Sequence, residues 1–353
     1  MMERNLMKGN EALSEAAIRA GLKCFFGYPI TPQTEISAYL SKRMPKVGGT
    51  FLQAESEVAA INMVLGAAAA GVRVMTSSSS PGISLKSEGI SYLAGSDLPA
   101  VIVNVQRGSP GLGGIQPSQA DYWQATKAMG HGDFHILVYA PSSVQEMVDL
   151  ITKAFDNADK YRMPAMVFAD GLLGQMMEPV TFPEITEHKI PKPWATEGHK
   201  NKRDHNIISS LYLQADELQK VVKARFERYE TVKQNETMAE SYLTDDADVV
   251  IIAYGATSRI AKSAVNAARA DGIKVGLLRP ITLFPFPVNE INNAVKNAKA
   301  VIVAEMSMGQ MVDDVKLAIN CSKPVHFFGT TGGIVPKPAD IAAEIKKIAG
   351  GAK

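Results

Sequence analysis

The first half of the sequence alternates short apolar runs, rich in β-branched residues, with segments whose apolar residues recur at helical spacing. This alternation is typical of a parallel sheet covered by helices, and it predicts one α/β domain from Met7 to about Asp170. The predicted strands comprise residues 24–28, 51–53, 72–76, 101–105, 136–139 and 165–169. Because open sheets of this kind bind ligands at the carboxyl ends of their strands, functional residues are expected there.

A change of composition separates this part from the rest of the chain. Proline, lysine and other charged residues are frequent over 179–245, where we expect a connector and arm. A second, smaller α/β unit is predicted beyond it, with strands at 249–253, 275–278 and 300–303. The predicted domains are therefore 1–178, 179–245 and 246–353.

The charge balance argues against two classes of partner. Lysine and arginine total 37, aspartate and glutamate total 36, and the formal net charge is +1. A nearly neutral chain has no field of one sign to attract nucleic acid or anionic lipid. The longest small apolar run, 64–72, is too short to span a bilayer, and residues 1–13 lack a signal-peptide core. We predict a cytoplasmic protein that binds neither nucleic acid nor membrane.

Cysteine usage limits what redox chemistry these residues can support. Cys24 and Cys321 are the only cysteines, and neither belongs to a C-x-x-C pair. A four-cysteine iron–sulfur or zinc site cannot be built from two cysteines, and no metal ligand is predicted. If the function is redox, the electron carrier must lie on another polypeptide.

Four segments that follow predicted strands contain residues suited to chemistry: 28–32, 55–57, 77–80 and 107–114. The first reads Tyr-Pro-Ile-Thr-Pro, in which Thr31 is predicted to cap a helix that begins with Pro32. Two prolines also simply shape a turn. The serine run, Ser77 to Ser80, could likewise cradle an anion or form an ordinary turn.

Glu57 is the strongest single candidate. It is predicted in the first turn of a helix that continues through Val58, Met63 and Gly66, where a carboxylate can simply complement the helix dipole. That helix is nearly all small and apolar, however, so a glutamate at its buried start would be held away from water and would need a specific partner. An aminopyrimidine nitrogen is such a partner.

Arg107 is predicted to end the strand 101–105 and to open the glycine-rich loop 108–114. The missing side chains of such a loop let a ligand or another subunit approach the backbone. An arginine there can grip a carboxylate bidentately, although a single arginine is also an ordinary surface charge. G-x-G-x-x-G in its required context and G-x-x-x-x-G-K-[ST] do not occur, which disfavours nucleotide binding.

In combination, these segments are more specific than any one of them. YPITP, AESEVAAINMVLGAAAAG, TSSSSPGISL and VIVNVQRGSPGLGGIQPSQAD occur in this order, followed by HGD, PSSVQE and GGIVPKPADI. Together they resemble the subunit of 2-oxoacid:ferredoxin oxidoreductases that contains the pyrimidine-binding domain of thiamine diphosphate. The resemblance covers nearly the whole chain. It implies a thiamine-diphosphate-binding α/β fold followed by a smaller domain like the carboxyl-terminal domain of transketolase.

The resemblance also implies roles for single residues. The implied cofactor contacts are Tyr28, Pro29 and Glu57, and the implied substrate contacts are Thr31 and Arg107. Glu57, rather than Glu55, matches the catalytic glutamate that hydrogen-bonds the aminopyrimidine and prepares the cofactor. Arg107 matches an arginine that pairs with the substrate carboxylate. The implied reaction is the coenzyme A-dependent oxidative decarboxylation of a 2-oxoacid to acyl-CoA and carbon dioxide, with reduction of ferredoxin.

Partner chains are implied as well. The family holds the diphosphate and Mg²⁺ with a G-D-G segment and an asparagine pair. The nearest approximation here, residues 270–272 with Asn292 and Asn293, lacks the first glycine and is predicted to be a helix-to-strand turn. We therefore expect a subunit that carries the diphosphate and Mg²⁺ half of the site, a gamma-type subunit, a ferredoxin-type iron–sulfur subunit, and reaction with ferredoxin, a 2-oxoacid and coenzyme A.

The preferred 2-oxoacid is open at this point. The sequence is similar to subunits assigned to 2-oxoisovalerate (3-methyl-2-oxobutanoate), and relatives for 2-oxoglutarate and pyruvate share the same motifs. One methylene changes discrimination in an apolar pocket by only about 1 to 3 kcal/mol. Two alternatives from other classes are a non-catalytic scaffold subunit and a stand-alone nucleotide-binding enzyme.

Overall fold

The computed structural model describes residues 4–127, 129–184 and 190–351. Within these residues the chain forms two α/β units and a short two-stranded ribbon. None of the helices in the described ranges is long and apolar enough to cross a membrane.

The first unit is built on a largely parallel sheet. The strands up to residue 180 are β1 (Asn5–Lys8), β2 (Cys24–Gly27), β3 (Thr50–Gln53), β4 (Val74–Ser78), β5 (Val101–Gly108), β6 (Gly114–Pro117), β7 (Leu137–Tyr139), β8 (Ala165–Asp170) and β9 (Met177–Val180). Neighbouring strands run parallel in the order β7-β8-β5-β4-β2-β3, while β6 folds back on β5 and β1 pairs with β9. All residues of β4, β5 and β8 are buried, since helices cover both faces of the sheet.

The helices of this unit are α1 (Gly9–Arg19), α2 (Thr34–Arg43), a 3₁₀ helix (Met44–Val47), α3 (Glu57–Ala69), α4 (Pro81–Gly95), α5 (Tyr122–Thr126), α6 (Val144–Tyr161) and α7 (Gly171–Gln175). Serine residues cap two of them. Ser56 Oγ accepts from Ala59 N at 3.1 Å before α3, and Ser143 Oγ accepts from Glu146 N at 3.1 Å before α6.

The predicted strands of this unit are all present, and two of them differ from the prediction by two or more residues at an end. β4 begins at Val74 and continues into the serine run, and β5 continues through Arg107 to Gly108 instead of ending at residue 105. The extension of β5 is a product of pairing, because Arg107 lies opposite Pro117 of β6. Local sequence does not reveal such a partner.

The predicted helix start, with Thr31 as cap and Pro32 as first residue, is wrong. Helix α2 begins at Thr34, with Gln33 before it, and Thr31 lies in the preceding turn. The carbonyl of Thr31 accepts a hydrogen bond from Arg107 Nη1 at 3.1 Å. The side chain of Gln33 bonds the Tyr28 carbonyl and Ser77 Oγ and so holds this turn, and the helix starts two residues after the predicted first residue, Pro32.

The second unit follows a long helix and contains a five-stranded sheet. Its elements are α8 (Ala215–Glu236), β10 (Ala239–Tyr242), β11 (Val249–Ile252), α9 (Gly255–Ala270), β12 (Val275–Pro280), β13 (Thr282–Phe284), α10 (Val288–Val295), β14 (Ala300–Glu305), α11 (Met311–Ala318), β15 (Val325–Gly329) and α12 (Pro338–Gly351). The sheet order is β10-β12-β11-β14-β15, parallel except for β10. Residues 270–272 form the predicted helix-to-strand turn, with Gly272 at φ +81°.

The two units interlock. Strand β13 pairs with β7 at the edge of the first sheet, and β10, from the segment predicted as connector, pairs in the second. Buried Gln119 donates to the Tyr254 carbonyl at 2.9 Å and accepts from Met306 N at 3.0 Å. One apolar cluster includes residues of both units, from Ala12 to Ile319. The division at residues 178 and 245 stays a prediction.

Candidate functional site

The strand order of the first sheet brings the four candidate segments to one edge. Strands β3, β2, β4 and β5 are neighbours in that order and run parallel. Their carboxyl ends lead to Glu57, to residues 28–31, to the serine run and to Arg107. Residues up to about 80 positions apart in sequence therefore lie along one side of the sheet, where open α/β sheets bind ligands.

Glu57 is a buried carboxylate without a partner. It is the first residue of α3, directly after the Ser56 cap, and 6% of its surface is exposed. Its carboxylate forms no hydrogen bond or ion pair with any residue that the structure describes. The helix N-terminus favours its negative charge, but burial away from donors is costly unless a ligand supplies them. The predicted burial of Glu57 at the start of a small, apolar helix is confirmed.

Gly82 allows the carboxylate of Glu57 to lie against α4. A Cβ atom at Gly82 would lie 2.6 Å from Glu57 Oε1 and closer still to Ser78 Oγ. Any larger residue would push one of these groups away. The end of β4 and the first turn of α4 thus form a cradle around the Glu57 carboxylate.

Two hydroxyl groups of the serine run have no partner. Ser78 Oγ and Ser79 Oγ are buried and make no hydrogen bond within the described ranges. Buried hydroxyl groups are normally paired, and each exception calls for an explanation. Ser78 Oγ lies beside Gly82 in the same cradle as Glu57, which places an open hydrogen-bonding group next to the open carboxylate.

The last serine of the run is held in an uncommon backbone conformation. Ser80 has φ +28°, its N–H donates to Asn104 Oδ1 at 3.2 Å, and its hydroxyl donates to Asp121 Oδ2 at 2.6 Å. Arg107 N donates to Ser80 Oγ at 3.1 Å, which ties the end of β4 to β5. Burial raises the pKa of Asp121, and its hydrogen bonds and the charge of Arg107 oppose that shift. Strained backbone of this kind persists where the surroundings fix it, often at functional sites.

Arg107 is buried, and its hydrogen-bond donors are only partly used by the described residues. Its Nη1 donates to the Thr31 carbonyl at 3.1 Å and its Nη2 to the Leu112 carbonyl at 2.8 Å. Its Nε is buried without a partner, and no described carboxylate forms an ion pair with the guanidinium. The side chain therefore keeps its charge and part of its donor fork for an anion. The structure brings Arg107 and Thr31 into contact.

The segment from Tyr28 to Thr31 is exposed at the same edge. Tyr28 is 36% exposed, and Pro29 and Thr31 are exposed too. Buried Gln33 fixes the segment, because its Nε2 donates to the Tyr28 carbonyl at 3.1 Å and its Oε1 accepts from Ser77 Oγ at 2.6 Å. The segment is thus a surface feature anchored to the serine run.

A cleft of about 620 Å³ opens beside Thr31. Its apolar walls include Ile115, Leu172, Met176 and Val335, so both units contribute to it. Glu35, Gln116 and Gln175 add polar groups to its lining, and Arg107 reaches the cleft only through its hydrogen bond to the Thr31 carbonyl. A cleft of mixed lining with apolar walls suits a small molecule that has one polar and one hydrocarbon end.

Lys86, Asn104 and Asp121 are site residues that the sequence analysis missed. Lys86 lies on α4 and is fully buried, and burial lowers its pKa to about 7 while the charge of Glu57 opposes that shift. A signal was present: Lys86 falls between Ile83 and Ile90 at the helical spacing of a buried face. Asn104 and Asp121 carry no such signal, since their burial depends on long-range packing.

Metal-binding residues do not cluster in the described part of the chain. No group of three or more histidine, cysteine, aspartate or glutamate side chains there could hold a metal ion. Cys24 is half-buried and Cys321 is exposed, and both thiols are free.

Two family models match consecutive parts of the chain. The thiamine diphosphate-binding domain of pyruvate flavodoxin/ferredoxin oxidoreductases matches residues 15–243, and core domain II of pyruvate:ferredoxin oxidoreductases matches residues 247–341. The chain belongs to this oxidoreductase family. The predicted family is therefore confirmed, and the edge of β2 to β5 lies within the part that matches its thiamine diphosphate-binding domain.

Named members of the oxidoreductase family align over most of the chain. The chain is 52% identical over 350 residues to ketoisovalerate oxidoreductase subunit VorB of Methanothermobacter marburgensis, covering 99% of both chains. It is 36% identical to 2-oxoglutarate synthase subunit KorA of the same organism, covering 98% of this chain and 99% of the relative. It is 31% identical to pyruvate synthase subunit PorA of Pyrococcus horikoshii, covering 87% of this chain and 82% of the relative.

Solved structures agree on the fold. A 2-oxoglutarate:ferredoxin oxidoreductase from Magnetococcus marinus, solved with 2-oxoglutarate, coenzyme A and succinyl-CoA bound, matches with a TM-score of 0.88 and 28% identity. The match covers 99% of this chain and 66% of that one. A split-gene transketolase, an inactive beta4 tetramer, matches over 99% of this chain and 100% of its own with a TM-score of 0.62 and 14% identity, which shows the fold alone. The predicted thiamine-diphosphate-type α/β fold with a transketolase-like second part is confirmed.

Proposed function

We propose that this chain supplies the pyrimidine-binding half of a thiamine diphosphate site in a multi-subunit 2-oxoacid:ferredoxin oxidoreductase. Glu57 bonds the aminopyrimidine ring, with Tyr28 and Pro29 beside it, and Arg107 and Thr31 contact the 2-oxoacid. The observation that carries the proposal is the Glu57 carboxylate, which is buried at the carboxyl edge of the sheet and has no partner among the described residues.

The residues of the site fit the pyrimidine end of the cofactor. Glu57 offers an acceptor for a protonated ring nitrogen, the Gly82 cradle leaves room for the approach, and the Ser78 hydroxyl beside it is unpaired. When bound, thiamine diphosphate supplies a nucleophilic carbon and an electron sink. Glu57 shares a proton with the ring nitrogen and thereby prepares the cofactor without contacting the substrate.

Another subunit completes the site. Helix α3, which Glu57 begins, exposes Val58 (46%) and Met63 (37%), and α4, which packs against it, exposes Leu85 (54%). Exposed apolar side chains on the two helices that carry the site suit coverage by a protein partner. That partner carries the diphosphate and Mg²⁺ half of the cofactor site.

Electron transfer requires further chains. Two cysteines cannot hold an iron–sulfur cluster with four thiolates, so the clusters lie on a ferredoxin-type subunit that passes electrons to ferredoxin. A gamma-type subunit completes the complex, and coenzyme A accepts the acyl group.

The substrate is 3-methyl-2-oxobutanoate. Arg107 and Thr31 hold its carboxylate end, and the apolar walls of the cleft beside Thr31 take its branched hydrocarbon end. The identity of 52% to a ketoisovalerate oxidoreductase subunit, against 36% to a 2-oxoglutarate synthase subunit, supports this choice. A kcat/KM for 2-oxoglutarate or pyruvate above that for 3-methyl-2-oxobutanoate, measured on the reconstituted complex, would overturn it.

The role of Glu57 is tested with a pair of neighbouring variants. Glu57→Gln and the matched control Glu55→Gln, which changes an exposed glutamate two residues earlier, are assembled with the partner subunits. We expect Glu57→Gln to abolish most turnover and to weaken thiamine diphosphate binding by calorimetry, with normal assembly by size-exclusion chromatography. Glu55→Gln should behave as the wild type. Full turnover of Glu57→Gln would favour a scaffold subunit instead.

A further inference from the structure

Lys86 is a charged residue on the buried face of α4. It is fully buried and lies at helical spacing between Ile83 and Ile90, two residues of the apolar core. Enclosing an amine in this position has a substantial desolvation cost, and lysines are almost never fully buried unless they are paired. A role for the charge would account for that cost.

The amine of Lys86 is fixed at the end of β4. Its Nζ donates to Thr76 Oγ1 at 2.8 Å and to the Ser77 carbonyl at 3.0 Å. The hydroxyl of Ser77 in turn donates to Gln33, whose amide holds the carbonyl of Tyr28. Lys86 therefore lies at one end of a buried polar network, and the other end of this network is the carbonyl of exposed Tyr28.

Glu57 lies against the same face of α4. Its Oε1 packs on Gly82, and Gly82 is one helical turn before Lys86, so the two positions share a face. Among the residues that the structure describes, Glu57 is the one charged group that acts on the pKa of Lys86, and its negative charge favours the protonated amine. Lys86 and Glu57 thus form a separated pair of opposite charges on two packed helices.

Other titratable groups lie at the two ends of α4. Asp121 and Arg107 contact Ser80, directly before the helix, and neither is among the groups that shift the pKa of Lys86. On the helix itself, the Glu88 carboxylate is bonded by Tyr92 Oη at 2.6 Å, and His131 lies against a later turn of the helix. Helix α3 carries no charged residue besides Glu57, and β4 carries none.

We propose that Lys86 is a positioning residue for Glu57: the buried positive charge of Lys86 holds the Glu57 carboxylate in place and favours the shared proton on the cofactor ring. The inference rests on the proposed function, because it assigns Lys86 to the thiamine diphosphate site. The hydrogen bonds to β4 hold the amine in place, and the charge acts on Glu57 through the low-dielectric interior, where such effects are strongest.

Thiamine diphosphate is titrated into the reconstituted complex from pH 6 to 8.5, with calorimetric detection. The wild type should bind more weakly as the pH rises through about 7, where Lys86 loses its proton. Lys86→Met should bind about tenfold or more weakly at pH 6, with a flatter pH profile. Lys220→Met, which removes a lysine with 78% of its side chain exposed on α8, should match the wild type and serves as the control.

Lys86→Gln separates charge from hydrogen bonding, because its amide can still donate to β4. We expect it to assemble normally and to show the same weaker, flatter binding, which also covers the case that Lys86→Met does not assemble. Wild-type affinity and pH profile in Lys86→Gln would overturn the inference. If Glu57→Gln also binds thiamine diphosphate like the wild type, the proposed function itself is wrong. If Glu57→Gln binds it weakly, the proposed function stands and only the role assigned to Lys86 is wrong.

Discussion

Two buried glutamates lie at the carboxyl edges of the two sheets, and their surroundings differ. Glu305 ends β14, is fully buried, and accepts hydrogen bonds from the backbone N–H groups of Met311 and Val312 at 3.0 Å each and from Ser307 Oγ at 3.0 Å. Glu57 begins α3 at the edge of the first sheet and accepts none from the described residues. The positions are alike, but the first carboxylate is satisfied by its own chain and the second is left open.

The contrast separates a structural carboxylate from one that we propose to bind a ligand. Glu305 caps the start of α11, a role that the fold itself requires. Glu57 begins a helix but accepts no hydrogen bond from the described residues, and Ser78 and Arg107, at the same edge of the sheet, also keep unpaired polar atoms. Groups left open together at one edge indicate a ligand that completes them.

Paired glutamine variants test this contrast with the largest expected effect. Glu57→Gln should lower the turnover of the reconstituted complex by about 10² to 10⁴-fold and leave its melting temperature unchanged. Glu305→Gln should do the reverse: loss of acceptors destabilises the fold by about 1 to 3 kcal/mol, while turnover per folded complex is retained. Thermal unfolding measures stability and steady-state kinetics measure turnover. Equal losses of stability in Glu57→Gln and Glu305→Gln would contradict the distinction between the two carboxylates.

Filling the cradle should affect Glu57 without removing it. In Gly82→Ala, the added methyl group displaces Glu57 Oε1 or Ser78 Oγ, so thiamine diphosphate should bind at least about tenfold more weakly. Gly350→Ala is the control, since nothing lies within 4 Å of its added methyl group. Calorimetry on both complexes measures the affinity for thiamine diphosphate. An unchanged affinity in Gly82→Ala would contradict the role of Gly82 in placing the Glu57 carboxylate.

Arg107 is the proposed substrate contact at the same edge of the sheet. Arg107→Met should raise the KM for the 2-oxoacid by about 10 to 100-fold, because a charged hydrogen bond is worth about 1.5 to 3 kcal/mol. Arg259→Met is a suitable control, as it removes an arginine that is paired with Glu178 and has 40% of its side chain exposed. An unchanged KM would exclude carboxylate recognition by Arg107.

The buried amine beside Glu57 predicts a smaller effect, on stability against pH. Lys86 loses its proton near pH 7 in the folded protein and near 10.5 in the unfolded chain. Between these values the unfolded chain binds the extra proton, so the free energy of unfolding rises with pH across that window. Lys86→Gln should lack this rise. Denaturant unfolding of the wild-type and Lys86→Gln complexes at pH 7, 8 and 9 measures the free energy of unfolding. If it changes with pH equally in both, the pKa of Lys86 is not lowered in the folded protein.

Local sequence predicted the first of the two glutamates well. The small, apolar helix after Glu57 and the serine before it place a carboxylate at a buried helix start, and α3 begins there. The strand order could not be predicted in the same way, but the rule that strand ends gather at one edge was enough to group Glu57 with Arg107.

The predictions that went wrong or were missing depend on contacts between distant segments. Thr31 lies in the turn before the helix, where its carbonyl bonds Arg107, 76 residues away, and Gln33 anchors the turn to Ser77. Strand β13 pairs with β7 across the units, and no local pattern reports that pairing. Lys86 was missed because a lysine is expected at the surface, and its burial follows from the packing of α4 on the sheet.

The most direct test of the central claim is a structure of the reconstituted complex with thiamine diphosphate bound. We expect a Glu57 carboxylate oxygen within about 3.2 Å of the aminopyrimidine ring nitrogen, at the edge formed by β2 to β5. A pyrimidine ring bound elsewhere, with Glu57 beyond hydrogen-bonding distance, would contradict the account.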